Sequence, residues 1–312
     1  MKIISKKNIL ITVVSIFIFY TVFIFYTGFN EISNIYDSLN WFNLIPIIGI
    51  LILTLFLRSL IQKFLLNQIG ITLNIKDSFF LYISGLSMII TPGGSGIVIK
   101  SYFLKNKFDY DIAKTLPLTA IERFYELVGV IILLFFSFIW FFSFSPFIIT
   151  LILSLLASIT FFFVKTNSYD FIFKISNRIK IIKPFTDSPD FMNSIQILTK
   201  TKVTIFMILT ISVITFFESV MFYIGFNSFN FDFSYIDSIQ IFYSSILFGT
   251  LFFIPAGIGV TEGFFVSLLL QKGISLETAG SIIIFLRLTT IWLISLIGFI
   301  TAYLIFFKSK KS

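Results

Sequence analysis

Long apolar runs alternate along the chain with short polar connections. Runs at 9–29, 41–57, 127–142, 146–164, 203–226 and 288–307 predict membrane-spanning helices, since a crossing takes about 20 apolar residues. The run at 9–29 is too long for a signal peptide, and no small-residue cleavage site follows it. Two further apolar stretches are interrupted. The stretch 79–104 is broken at Thr91-Pro92-Gly93-Gly94-Ser95-Gly96, and 239–270 at Pro255-Ala256-Gly257-Ile258-Gly259.

The cations decide how the broken stretches sit. If each enters, breaks and returns to one side, Lys2, Lys6 and Lys7 lie in the cytoplasm. So do Arg58, Lys63, Lys76, Lys105, Lys107 and Lys114, the basic loop 165–202, and the C-terminal Lys308, Lys310 and Lys311. The outer loops 30–40, 143–145 and 227–238 then hold no Lys or Arg, and Lys272 is the one clear exception. If 79–104 crossed completely, the seven cations of 165–202 would face outward, against the positive-inside rule. The re-entrant reading follows. Broken backbone at membrane depth must be buried in protein or line a wet cavity, so an internal cavity is expected.

The two breaks also align. Pro92 and Pro255, Gly94 and Gly257, and Gly96 and Gly259 match without gaps. Pro92 to Arg123 is 31 residues and Pro255 to Arg287 is 32. Two spans precede each break and one follows, so the halves 1–142 and 143–312 share one pattern in opposite orientation. The expected fold is an all-α polytopic membrane protein. It has about six spanning helices and two re-entrant hairpins in an inverted-topology repeat, within a single membrane domain. Transporters built this way bind substrate near the midplane.

Composition narrows the chemistry. Charged residues are 12% of the 312, and hydrophobic residues 57%, about half the charge of a soluble domain. The 45 Phe residues read first as biased composition that suits lipid-facing helices. With no Cys and no His, disulfides, thiol catalysis, Cys/His metal sites and Ser-His-Asp triads are excluded. Neither a metal nor a cofactor is expected. The net charge of +8 reads as topology and not as nucleic-acid binding.

The few charges left at membrane depth are the candidate site. After each break a half-helix begins, and its free N–H groups and positive dipole end favour an anion. Lys100 lies one turn into the first half-helix, and Glu262 at the start of the second. Arg123 and Arg287 occupy equivalent positions before the apolar runs 127–142 and 288–307. Arg suits phosphate through its planar fork. Glu122, Glu126, Glu218 and Glu262 are candidate partners. These Arg–Glu pairs either lock helices together or exchange with an anionic headgroup, and Glu218 alone reads equally as a structural pair or a proton-coupling group. Asp111 is a plausible N-cap for the helix carrying Arg123.

At these residues the chain resembles the lysylphosphatidylglycerol synthase transmembrane-region family, also described as flippase-like. That family's P-G-R-x-G-E-x-x-R motif aligns with Pro92-Gly93-Gly94-Ser95-Gly96-Ile97-Val98-Ile99-Lys100. Its E-R-x-x-D aligns with Glu122-Arg123-Phe124-Tyr125-Glu126. Its P-G-G-I-G-x-x-E aligns with Pro255-Ala256-Gly257-Ile258-Gly259-Val260-Thr261-Glu262, with Arg287 following; Arg58 also fits. Gly94 and Ile97 depart from the pattern. The resemblance implies a lipid-translocating membrane domain without the aminoacyl-transferase of the fused members.

The function expected is movement of a phospholipid or polyprenyl-phosphate lipid between leaflets of the cell membrane, with both termini cytoplasmic and no enzymatic step. Membrane lipids with anionic headgroups are the expected partners. A proton-coupled solute transporter is the alternative; a lipid-modifying enzyme or a structural protein ranks below it.

Overall fold

A computed structural model describes residues 20, 22, 35–37, 39–89, 95–140, 183–251 and 255–307. The helices are α1 (Leu44–Gln68), α2 (Ile75–Gly85), α3 (Ser95–Phe108), α4 (Ile112–Trp140) and α5 (Pro189–Leu198). They continue with α6 (Thr201–Asn227), α7 (Tyr235–Leu251), α8 (Val260–Gln271), α9 (Leu276–Arg287) and α10 (Leu293–Ala302). There is no strand among the described residues. Among the described residues, three stretches are long and apolar enough to cross a membrane: Trp41–Gln68, Thr201–Asn227 and Leu276–Ile305. This is an all-α membrane protein. The expected spans 9–29 and 146–164, the half boundary at 142/143, the loop 165–182 and both termini lie outside the described residues.

α1 and α6 form an antiparallel pair. Asn43 at the start of α1 donates to Ser228 beyond the end of α6 at 3.1 Å. Phe64 near the end of α1 packs against Phe206 near the start of α6, with tilted rings and centroids 4.2 Å apart. The 25 residues of α1 rise about 37 Å at 1.5 Å each, enough to cross the hydrocarbon layer.

Each broken stretch folds back on itself. α2 opens with an N-cap, where Asn74 Oδ1 accepts the Asp77 N–H at 2.6 Å. A 3-10 turn, Leu86–Met88, ends that arm, and α3 returns. The hairpin closes at its base, where Lys107 Nζ lies 2.9 Å from Asp77 Oδ1. The second hairpin repeats the design. Ser234 Oγ accepts the Asp237 N–H at 3.0 Å, α7 descends to the turn Pro255–Gly257, and α8 returns to a Lys272–Asp237 ion pair. Lys272 broke the cation pattern; the pairing with Asp237 offsets its charge. The first base follows the Gln68 end of α1 and the second follows the Asn227 end of α6. Because α1 and α6 are antiparallel, the bases lie at opposite ends of that pair.

The long helices differ from expectation in length. α1 continues eleven residues beyond the expected end at 57, through Arg58, to Gln68. α4 begins at Ile112, directly after Asp111 as expected, and runs on without a break through the apolar run that follows Arg123. The last span begins at Leu276, which puts Arg287 near its middle. In each case the arginine is paired inside the protein, so no helix boundary is needed to solvate it.

Packing crosses between the halves. α2 lies on α10 and α7 lies on α4. At the first contact, a Cβ on Gly298 would stand 2.7 Å from both the Ile83 carbonyl oxygen and the Ser87 nitrogen. Only glycine permits that backbone approach, a common way for helices to pack in lipid. At the second contact, Gln240 Nε2 donates to the Ser137 carbonyl at 3.2 Å. The part of loop 165–202 that is described is not simply a basic surface segment. α5 buries Phe191 and Ile195 against Val98, Ala113 and Leu116.

Candidate functional site: two buried charge clusters

The first cluster draws on five helices. Arg58 on α1 is its hub. Its Nε and Nη2 donate to Glu218 Oε1 and Oε2 on α6, both at 2.9 Å, a two-pronged fork. Its Nη1 donates to Glu126 Oε1 on α4 at 2.6 Å. The other oxygen of Glu126 accepts from Arg123 Nη1 at 2.7 Å, one turn back on the same helix. Lys100 on α3 pairs with Glu122 Oε2 at 2.5 Å, and its ammonium sits 4.5 Å from the centroid of the Tyr82 ring on α2. Lys100 and Glu122 are 3% and 6% exposed. The Lys100 stem passes directly over Gly85; a Cβ there would meet its Cγ at 2.6 Å. Arg58, Tyr82, Glu122 and Glu126 line a small pocket with Ile61, Met207 and Ile211.

The second cluster lies at the other break. Gly257 and Gly259 take φ of +66° and +90°, and the chain turns sharply into α8. Ala256 holds φ +52° in the same turn, where a Cβ is disfavoured. The turn also lies hard against α7: a Cβ on Gly249 would come 3.3 Å from Gly257 Cα and 2.0 Å from Thr261 Oγ1. Glu262, in the first turn of α8, accepts the Gly259 N–H at 2.6 Å and the Tyr20 hydroxyl at 2.8 Å. Its Oε1 stands 2.8 Å from Arg287 Nε. Both side chains are buried. Arg287 is followed by the π-helical turn Leu288–Trp292, a distortion frequent at functional sites.

The clusters leave specific valences unused. Among the described residues, Glu122 Oε1 has no hydrogen-bond partner, and neither do Arg287 Nε and Nη2. The Arg287–Glu262 contact is close in distance but out of line for a hydrogen bond. An idle acceptor and idle donors at this depth are costly unless a ligand or water engages them.

The structure thus joins Lys100, Glu122, Arg123, Glu126 and Glu218 in one cluster, and Gly257, Gly259, Glu262 and Arg287 in another. Gly96 opens α3 in its first turn, and Pro255 opens the second turn. Pro92, Gly93 and Gly94 lie outside the described residues. Arg58 is a correction: it is a buried hub and not a cytoplasmic topology charge. The apolar run continuing on both sides of it, to Leu65 and Leu66, was the signal. Tyr82 and Tyr20 carried no such signal, because a tyrosine among many aromatics is unremarkable in sequence. Outside the first cluster, an apolar groove of about 380 Å³ runs between α1 and α6. Leu57, Leu60, Phe206, Leu209 and Val213 line it.

Fold and site together define a polytopic membrane protein whose interior charges gather at two helix hairpins. The chain belongs to the lysylphosphatidylglycerol synthase TM region family, whose sequence model matches residues 9–298. No curated protein and no solved structure matches it.

Proposed function

We propose that this protein is a lipid flippase, moving a phospholipid or polyprenyl-phosphate lipid between leaflets by binding and conformational exchange, without an enzymatic step. The observation that carries the reading is a pair of buried ion pairs in corresponding places. In each hairpin unit a half-helix is tied to the next long helix: Lys100 to Glu122 in the first, Glu262 to Arg287 in the second. The polarity is reversed between them. Buried ionisable groups in membrane helices are expensive and mark substrate pathways, and the family is lipid-related by description.

An inverted repeat of 1–142 and 143–312 fits the same picture. Its support is the antiparallel α1–α6 pair, the hairpin bases at opposite ends, and the exchange of α2 onto α10 and α7 onto α4. A phosphate headgroup would meet Arg287, Arg123 and Lys100 while its tails stay in the bilayer. The carboxylates would take those cations back when it leaves. The cell membrane is the proposed location, with both termini cytoplasmic.

The test is reconstitution. Purified protein in liposomes should move acyl-labelled lipid between leaflets, and Arg287→Met combined with Glu262→Gln, which leaves no buried charge stranded, should abolish the movement. Flux of a soluble solute following a pH gradient, with no lipid movement, would favour the proton-coupled transporter instead.

A further inference from the structure

Resting on the flippase reading, one property of the interior names the headgroup class. In the first cluster Arg58, Lys100 and Arg123 face Glu122, Glu126 and Glu218. In the second, Arg287 faces Glu262. That is four formal cations against four formal anions. The segments 9–30, 90–94, 141–164 and 252–254 contain no Asp, Glu, Lys or Arg, and the other charges of the three membrane-length stretches, Lys63, Lys202 and Glu277, stand within five residues of a stretch end. The two buried clusters together are electrically balanced before any substrate arrives.

A balanced low-dielectric site does not welcome a net charge. A monoanionic headgroup would bring one uncompensated charge to membrane depth, where charges are disfavoured. A headgroup carrying both a phosphate and an ammonium adds no net charge, and each end can exchange with one member of an existing pair. The idle valences have the matching chemistry. Arg287 Nε and Nη2 are donors without acceptors, suited to a phosphate oxygen. Glu122 Oε1 is an acceptor without a donor, suited to an ammonium N–H. Arg287 is 2% exposed and Glu122 6%, so bulk water is not their ordinary partner.

We infer that the carried headgroup is zwitterionic and bears N–H donors, of the phosphoethanolamine class, and not a simple anion. The phosphate is handed along the arginines and the ammonium along the glutamates, so the interior stays neutral throughout.

The experiment uses the full chain in phosphatidylcholine liposomes, with trace acyl-labelled phosphatidylethanolamine or phosphatidylglycerol and an impermeant quencher. Phosphatidylethanolamine should cross at least about tenfold faster, the size of discrimination a difference of about 1.4 kcal/mol gives. Glu122→Gln removes one negative charge and should bring the ratio toward one, a change that mere loosening of the fold would not produce. Equal or faster transfer of phosphatidylglycerol overturns the inference and leaves the flippase reading standing. If neither lipid moves, the flippase reading fails. Mass spectrometry of lipid retained through detergent purification then decides the headgroup question: retention of phosphatidylglycerol over phosphatidylethanolamine, or of neither, overturns it.

Discussion

Arg58 offers the sharpest test of the first cluster. It serves two carboxylates on two other helices, and among the described residues Glu218 has no other ion-pair partner. Arg58→Met keeps the length and apolar stem but deletes the charge. Glu126 retains Arg123 at 2.7 Å, whereas Glu218 is left alone beside α1. Stranding one member of a buried pair costs about 3–5 kcal/mol. Arg58 is 13% exposed and Glu218 20% by side chain, so the lower end, about 3 kcal/mol, is expected. Adding Glu218→Met should return much of that loss, because a buried ion pair replaced whole by apolar side chains is often neutral or stabilising. The assay is denaturation in mixed micelles followed by fluorescence of Trp41, Trp140 and Trp292. The single and double variants together form a cycle whose coupling should be about 2 kcal/mol or more. If the double variant falls by the sum of the two single losses, Arg58 and Glu218 are not coupled and the hub assignment is wrong.

Two further perturbations test the hairpins. Gly249→Ala should destabilise by about 1–3 kcal/mol, the usual cost of overpacking, because its Cβ would collide with Thr261 and the Gly257 backbone; unchanged unfolding would refute the close approach. With no native Cys, Asn106→Cys and Gln271→Cys report hairpin orientation. Both positions are exposed, and neither holds the positive φ that would strain a cysteine at Gly273. An impermeant thiol reagent should reach Asn106 from the cytoplasm and Gln271 from outside, and labelling of both from one side would sink the inverted arrangement.

Much of this architecture is legible along the chain, and the reason is physical. Lipid forbids unsatisfied backbone, so helix and break are written as apolar run and Gly/Pro cluster. The second break was the more readable one: Gly257, Gly259, Glu262 and Arg287, all named from the sequence, meet in one cluster, although Tyr20 was not among them. Pairing was harder to read. Arg123 and Arg287 occupy matching positions, yet Arg287 reaches across to α8 while Arg123 bonds its own helix at Glu126. The cross-helix partner of Lys100 is Glu122, one residue before Arg123. A one-residue step on a helix turns a side chain by about 100°, enough to choose a different neighbour, and linear sequence does not resolve it. Arg58 was misread for a related reason. A cation ends an apolar run in sequence, but three-dimensional packing decides whether it reaches water or two carboxylates.

The reversed polarity of the two half-helix pairs carries its own consequence. Lys100 is the sixth residue of α3 and Glu122 lies within α4, so neither occupies a helix end. Exchanging them, Lys100→Glu with Glu122→Lys, keeps one salt bridge and gives up the contact of the Lys100 ammonium with the Tyr82 ring, so it should cost only about 1 kcal/mol. Glu262 is the third residue of α8, where the positive end of the helix favours a carboxylate by about 0.3–1 kcal/mol. It also accepts the Gly259 N–H and the Tyr20 hydroxyl, each worth about 1 kcal/mol, with a further penalty if the donor is left buried and idle. A lysine there accepts nothing and is repelled by the dipole. The exchange Glu262→Lys with Arg287→Glu should therefore cost about 3 kcal/mol despite preserving the ion pair. Equal losses from the two exchanges, measured by the same micelle unfolding, would mean that charge pairing alone holds both half-helices and that the helix terminus contributes nothing to the second site.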